Sequence, residues 1–329
     1  MEKIVIIKLG ALGDVVRTLS ILLGIKEKYP DSEITWVTKE PSHSIIKSSP
    51  YVSKVLNLPL ENFEEFDILY NFDTDAEATH LAQKISAKEK KGFYSQNNFL
   101  FPFNPSAEYY LSTIFDDELK KSNKKTYQEM MFEVAELPYK KQHHPIFLTE
   151  LEKEYAQKFI EENNLSKENL IGIHIGASSR WPSKKWHLDN LKKFIQLSSE
   201  KGYKILLFGG PNEFDELEPI YQELKQKGMQ IYRQDPNNSI LEFASLVNLC
   251  DKIICGDTLA LHISLAFKKP TIGLFFCTTP NEIEDYGILK KIISPILKNF
   301  FPEKMNEYSE DLVKSISPEK VLKALENRQ

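Results

Sequence analysis

The sequence predicts an α/β protein of two doubly wound domains in tandem, each a largely parallel sheet covered by helices. Short β-branched runs alternate with helical spacings along both halves, the pattern of parallel strands joined by crossover helices. The alternation is broken at Glu136 to Phe147 (ELPYKKQHHPIF), which has two prolines and no periodicity and reads as a linker. At 329 residues the chain exceeds what one core usually supports, so domains of 1–145 and 146–329 each retain enough residues to bury their own.

In the first half, Lys3 to Lys8 (KIVIIK) is an apolar, β-branched strand, LGALGD is a glycine turn, and helical spacing follows from Val15 to about Lys28. Gly10 and Gly13 permit a tight turn or a close approach, and Asp14 falls where a helix N-cap is expected. Two readings of Asp14 stay open here: a cap, or a carboxylate held at the mouth of a cleft and able to take a proton. Glu33 to Thr38, Val52 to Leu58 and Phe66 to Phe72 are the next strands, and Asp73 to Lys84 is helical. Asp73 and Asp75 either cap that helix or form an acidic pair for a hard cation. Between Lys88 and Lys141 periodicity fails, which predicts a long irregular insert ahead of the helical TYQEMMFEVAEL. Lys88, Lys90, Lys91, Lys120, Lys121, Lys124 and Lys125 there either face an anionic acceptor or make a solvated surface.

The second half repeats the alternation. A helix near Leu151 to Asn163 precedes strands at Leu170 to Ile175, Tyr203 to Phe208, Met229 to Tyr232 and Lys252 to Cys255, with helices between them, and Thr271 to Phe276 is expected to close the sheet. Ser317 and Pro318 place a cap and a first-turn proline ahead of a terminal helix through Arg328. In such sheets ligands sit beyond the carboxyl ends of the strands, here the expected cleft between the domains.

Composition narrows the function classes. A hydrophobic fraction of 41% with 27% charged residues is that of a soluble globular chain. A net charge of -5 argues against a general nucleic-acid binder, whose affinity rests on lysine and arginine. The first residues lack a signal-peptide pattern, and no run of about 18 apolar residues occurs, so a cytoplasmic protein is expected. Cys250, Cys255 and Cys277 form no CxxC pair and are expected as buried thiols rather than disulfides or zinc ligands.

Three strand-end loops of the second half carry chemistry. Gly176 to Trp186 (GASSRWPSKKW) joins a small-residue turn to Ser178, Ser179, Arg180, Lys184 and Lys185, a set suited to a diphosphate or to a basic surface turn. Gly209 to Glu213 (GGPNE) ends in an acid that can accept from ribose hydroxyls or simply begin a helix. Gly256 to His262 (GDTLALH) puts Asp257 and Thr258 at a helix N-terminus, which favours an anion, with His262 one turn on as either a packed ring or a ligand contact.

GALGD with VVRTLSIL, YNFD, GASSRWPSKKW, GGPNE and GDTLALHISLAFKKPTIGLF followed by TTPNEIEDYG resemble glycosyltransferase family 9, the ADP-heptose:lipopolysaccharide heptosyltransferases, in order over almost the whole chain. The resemblance implies the GT-B architecture of two Rossmann-like domains facing across a cleft, with acceptor in the first and nucleotide-sugar in the second. It implies an ADP-heptose donor, a glycan or lipid-linked acceptor, no cofactor and no metal, and work in the cytoplasm with peripheral contact at the inner face of the membrane. By position, Asp14 matches the general base; Ser178, Ser179 and Lys184 the diphosphate contacts; Glu213 the ribose-side acid; Asp257 the sugar-contacting acid; and Thr258 and His262 residues flanking the phosphates. Leu259 stands where many members have glycine, and Phe276 and Cys277 replace a common Gly-Pro.

The expected reaction is inverting glycosyl transfer through an oxocarbenium-like transition state, with charge developing on the departing diphosphate. Three other classes compete. A nicotinamide oxidoreductase lacks the third glycine of GxGxxG, Val16 taking its place, although Glu40 ends the second strand suitably. A nucleotide-sugar epimerase on the same architecture, or a non-catalytic sugar-nucleotide-binding protein, differs in product or in tolerating loss of Asp14.

Overall fold

The computed structural model describes residues 1–60, 64–166, 168–176 and 180–327. The chain forms two compact units, the first made of Met1–Phe147 with Asn281–Glu284 and the second of Leu148–Pro280 with Asp285–Gln329.

The first unit is built on a six-stranded sheet: β1 (Lys3–Ile7), β2 (Glu33–Thr38), β3 (Lys54–Asn57), β4 (Phe66–Asn71), β5 (Ala87–Gln96) and β6 (Phe99–Pro102). Their spatial order is β3-β2-β1-β4-β5-β6, parallel but for the β5–β6 pairing. Strand order reverses between β1 and β4, with Ile6 level with both Trp36 and Tyr70. Val5, Ile7, Val37 and Leu69 pack on Ala78 and Leu81 of the helix Ala76–Lys84. Side chains alternate along a strand, so Ile4, Ile6, Trp36 and Tyr70, all buried, line the opposite face.

Two expectations for this half fail. The single first helix is two, Leu12–Thr18 and Ile21–Lys28, broken at Leu19 and Ser20. The irregular insert is ordered: β5 and β6 form a hairpin, and the helices Glu108–Phe115, Asp117–Ser122 and Tyr127–Ala135 follow. The lysines that hid its periodicity have partners. Lys90 Nζ donates to the Ala82 and Gln83 carbonyls at the end of a helix, 2.9 and 3.2 Å away. Lys88 pairs with Asp67 at 2.6 Å, Lys91 with Glu136 at 2.9 Å, Lys121 with Glu118 at 2.9 Å and Lys125 with Glu133 at 2.7 Å. An open basic surface for an anionic acceptor is therefore not what these five residues make.

The second unit carries β7 (Leu170–His174), β8 (Lys204–Phe208), β9 (Ile231–Arg233), β10 (Lys252–Gly256), β11 (Thr271–Phe275) and β12 (Leu289–Ile293), all parallel in the order β12-β11-β10-β7-β8-β9. β11 does not close the sheet, because β12 lies outside it. Order reverses between β7 and β10. Ile171, Ile173, Ile205, Ile254 and Ile272 meet Leu191, Phe194 and Val321 in one core. The terminal helix Pro318–Glu326 begins as expected, with the Ser317 hydroxyl accepting from Lys320 N at 3.3 Å. All three cysteines are buried free thiols. Among the described residues no helix is long and apolar enough to cross a membrane.

Candidate active site

In an open parallel sheet, ligands gather where strand order reverses, beyond the carboxyl ends of the strands. In the first unit that point joins the ends of β1 and β4. Asp73, just after β4, accepts from Leu9 N at 2.7 Å and Gly10 N at 2.6 Å through Oδ2, while its Oδ1 lies 3.3 Å from Lys8 Nζ. Lys8 Nζ also donates to the Phe72 carbonyl at 3.2 Å. A Cβ at position 10 would stand 3.0 Å from one Asp73 carboxylate oxygen and 3.1 Å from the other, so Gly10 is there for close approach. Asp73 thus ties down the first loop instead of joining a metal pair or capping a helix. Asp75 is the N-cap residue of the next helix, but its side chain makes no capping bond. No group of three or more candidate metal ligands occurs among the described residues.

Asp14 is not a cap. Ala11 occupies that position, and Asp14 sits in the first turn of Leu12–Thr18, as does Gly13. Its Oδ1 is 2.7 Å from a guanidinium nitrogen of Arg17. The Arg17 guanidinium in turn lies 3.6 Å from the centre of the Tyr127 ring. The Thr18 hydroxyl donates to the Asp14 carbonyl at 2.6 Å and lies 2.8 Å from the Tyr127 hydroxyl.

Burial alone would pull the Lys8 pKa down, but the charges around it, with Asp73 and Asp14 on the acidic side, hold it above the usual lysine range. Burial raises both Tyr110 and Tyr127, so at neutral pH they are uncharged and the carboxylates balance the cations. The Asp14 side chain is 36% exposed, against 13% for Arg17 and 5% for Lys8. Of this group it is the carboxylate that a solvent-borne hydroxyl can reach.

In the second unit, β8, β7 and β10 are neighbours, which brings together the three loops singled out in the sequence. Ser178 and Ser179 lie outside the described residues. Lys184, on a short 3-10 turn, places Nζ 2.9 Å from Asp257 Oδ2 and 3.0 Å from the Asp257 carbonyl. The same ammonium stands 4.4 Å from the centre of the Trp181 ring, which Arg180 also approaches, at 4.8 Å. His262 Nε2 lies 4.0 Å from Asp257 Oδ1. Cys277 shares this environment: burial pushes its thiol up to about 11, with Lys184 lowering and Asp257 raising it.

Glu213 lies in the first turn of Pro211–Gln226, where Oε2 accepts from Gly210 N at 3.0 Å. It is 9% exposed and packs so tightly on the loop after β7 that a Cβ at Gly176 would be 3.0 Å from its carboxyl carbon. It therefore caps the start of its own helix whatever it does for a ligand. Thr258 begins the helix Leu259–Ala266, yet its hydroxyl makes no capping bond and lies 3.3 Å from His174 Nδ1 instead. His174 was hidden in the sequence as one more residue of a strand. Burial pushes its ring down to about 4, partly countered by a bond to its own backbone, so it is neutral at physiological pH.

The sequence profile of glycosyltransferase family 9 (heptosyltransferase) matches residues 62–311. The lipopolysaccharide core heptosyltransferase OpsX of Haemophilus influenzae is 21% identical over 320 residues, covering 91% of this chain and 86% of that protein. Lipopolysaccharide heptosyltransferase 1 of Campylobacter coli is 25% identical, covering 88% of this chain and 90% of its own length. Among solved structures, the family 9 glycosyl transferase of Veillonella parvula superposes with a TM-score of 0.78 at 20% identity, covering 99% of this chain and 96% of that one. The ADP-heptose lps heptosyltransferase II of E. coli gives 0.69 at 17% identity, with 98% and 97% covered. At these identities the superpositions establish a shared GT-B fold.

Proposed function

The chain belongs to glycosyltransferase family 9, and on that premise we propose that it moves a heptose from ADP-heptose to a hydroxyl of a lipopolysaccharide-core acceptor, with inversion at the anomeric carbon. The observation that carries this reading is the convergence of Lys184, Asp257, Thr258 and His262 beyond β10, a polar, nearly enclosed cluster with an ammonium beside a helix N-terminus. Oriented N–H groups and a fixed cation suit a diphosphate that gains charge as it leaves. The relatives named above supply the sugar and the acceptor class.

In the proposed step the acceptor oxygen forms its bond to the anomeric carbon as the bond from that carbon to the β-phosphate oxygen breaks. The bonding pair goes to the diphosphate, where Lys184 and the first turn of Leu259–Ala266 receive the charge, and ADP departs. The acceptor proton goes to Asp14, whose carboxylate is held in place by Arg17. Ser178 and Ser179 add hydroxyl contacts to the diphosphate, Asp257 faces the sugar and Glu213 the ribose. The acceptor is lipid-linked, and the enzyme meets it at the inner face of the cytoplasmic membrane.

Purified protein with ADP-heptose and a core acceptor lacking the heptose tests this, ADP release being measured by coupled assay and the new linkage by NMR. Transfer with the anomeric configuration opposite to the donor's is expected. Retained configuration would remove the single-displacement step, and release of ADP only from a different nucleotide-sugar would remove the donor.

A further inference from the structure

We propose that Tyr127 is a positioning residue for the base: the face of its ring seats the Arg17 guanidinium and its hydroxyl pins Thr18, so that the short turn carrying Asp14 is gripped on both sides. This rests on the reading of Asp14 as general base and adds to it the group that fixes its carboxylate where an acceptor hydroxyl would meet it.

Asp14 and Arg17 are three residues apart on Leu12–Thr18, with Asp14 Oδ1 2.7 Å from the guanidinium. An exposed ion pair at that spacing biases its side chains only about twofold, because two flexible chains must be ordered to make it. Here one partner is ordered from elsewhere. Arg17 is mostly buried, and its guanidinium carbon lies 3.6 Å from the centre of the Tyr127 ring, so the cation rests on an aromatic face. The more exposed Asp14 therefore pairs with a point that is already fixed.

The backbone is held as well. Leu12–Thr18 has seven residues, too few to keep its shape unaided. Thr18 ends it, and its hydroxyl donates to the Asp14 carbonyl at 2.6 Å while lying 2.8 Å from the Tyr127 hydroxyl. Threonine has one O–H hydrogen, so with that hydrogen on the carbonyl the Tyr127 hydroxyl is the donor of the second bond. Burial raises Tyr127, which therefore keeps this proton at neutral pH. The bonds run in one direction, from Tyr127 through Thr18 to Asp14. Tyr127 is itself fixed: it is buried, opens the helix Tyr127–Ala135, donates its N–H to the Glu282 carbonyl at 2.9 Å and meets Tyr110 edge to face, with ring centres 6.1 Å apart.

Turnover and ADP affinity of the full chain test the inference, each variant being checked by thermal unfolding and assayed below its transition. Tyr127→Phe keeps the ring, loses the donor and should lower kcat about fivefold. Tyr127→Leu loses both and should lower kcat about 30-fold, within the ~100-fold that an ångström of misplacement can cost. ADP affinity should stay within about twofold of wild type in both. In an Asp14→Asn background Tyr127→Leu should change the residual turnover by less than about twofold, because no base remains to be positioned, whereas a purely structural Tyr127 would impose its full loss there too. Tyr127→Leu turning over within about twofold of wild type overturns the inference, as does an equal loss in the two backgrounds. If Tyr127→Leu does not fold, or Asp14→Asn turns over too slowly to compare, Thr18→Val and Tyr127→Phe decide. Their double variant should turn over no more slowly than Thr18→Val, and losses that multiply overturn the inference. Near-normal turnover by Asp14→Asn removes the base reading and this inference with it; a slow Asp14→Asn beside a normal Tyr127→Leu removes the inference alone.

Discussion

Lys184→Ala separates the ion pair with Asp257 from the diphosphate contact proposed for the same ammonium. Its Nζ lies 2.9 Å from the Asp257 carboxylate in a setting where the two side chains are only 11% and 15% exposed. Breaking a fully buried pair from one side costs ~3–5 kcal/mol, so this slightly exposed one should cost about 2–3 kcal/mol of folding stability. A charge-assisted contact to a bound diphosphate contributes ~1.5–3 kcal/mol, so ADP should bind about 10- to 150-fold more weakly to the variant. The two losses are read by thermal unfolding without nucleotide and by calorimetric titration with it. Asp257→Asn in the same background tells them apart. If Lys184 acts on the nucleotide, affinity stays low in the double variant while stability recovers; if it only neutralises Asp257, both recover. ADP binding by Lys184→Ala within about twofold of wild type would refute the assignment, since no direct contact of that kind is so weak.

Asp14→Asn should lower turnover by about 100-fold or more with ADP affinity unchanged, measured by ADP release and calorimetry, and near-normal turnover would leave Asp14 as a partner for Arg17 alone. Gly10→Ala puts a methyl 3.0 Å from an Asp73 carboxylate that three donors hold in place, and should lose about 1–3 kcal/mol in urea unfolding. The folded His174 ring, pushed down from 6.5 to about 4, refuses a proton that the unfolded chain accepts. Its contribution is therefore complete above pH 6.5 and declines as pH falls toward 4, by at most about 3 kcal/mol, less what the exposed edge of the ring screens. Thermal unfolding of wild type and His174→Asn across that window should show a flatter profile in the variant.

The parallel core was legible because its strands are apolar on both faces and need no partner to be recognised. β5 was not, since AKEKKGFYSQ becomes a strand only when Lys90 finds the end of a helix and Lys91 finds Glu136, partners that no local pattern announces. Asp14 drew attention partly as a helix cap, because aspartate is a common one, but here the helix begins earlier and the side chain turns to Arg17. Asp73 drew attention as an acidic pair, while its true partners are backbone N–H groups more than sixty residues away. Lys184, Asp257, Thr258 and His262 come together as their motif order suggested, because β7 and β10 are neighbours in this topology. His174 gave no signal, because a strand residue reveals its neighbour only once register is known.

The four residues 281–284 give the first unit a history as well as a shape. Glu282 O accepts from Tyr127 N at 2.9 Å, the Asn281 amide donates to Asn123 O at 3.0 Å, and the Tyr139 hydroxyl donates to Glu284 at 2.7 Å. A ribosome emits Phe147 long before Asn281, at roughly 5–20 residues per second, so these bonds must wait until 148–280 have been made. The amino-terminal unit is thus the first begun, yet it is completed only after most of the second unit has been made. A fragment ending at Phe147 should be a nascent, incompletely tied form of it, and no single cut of the gene yields both units whole.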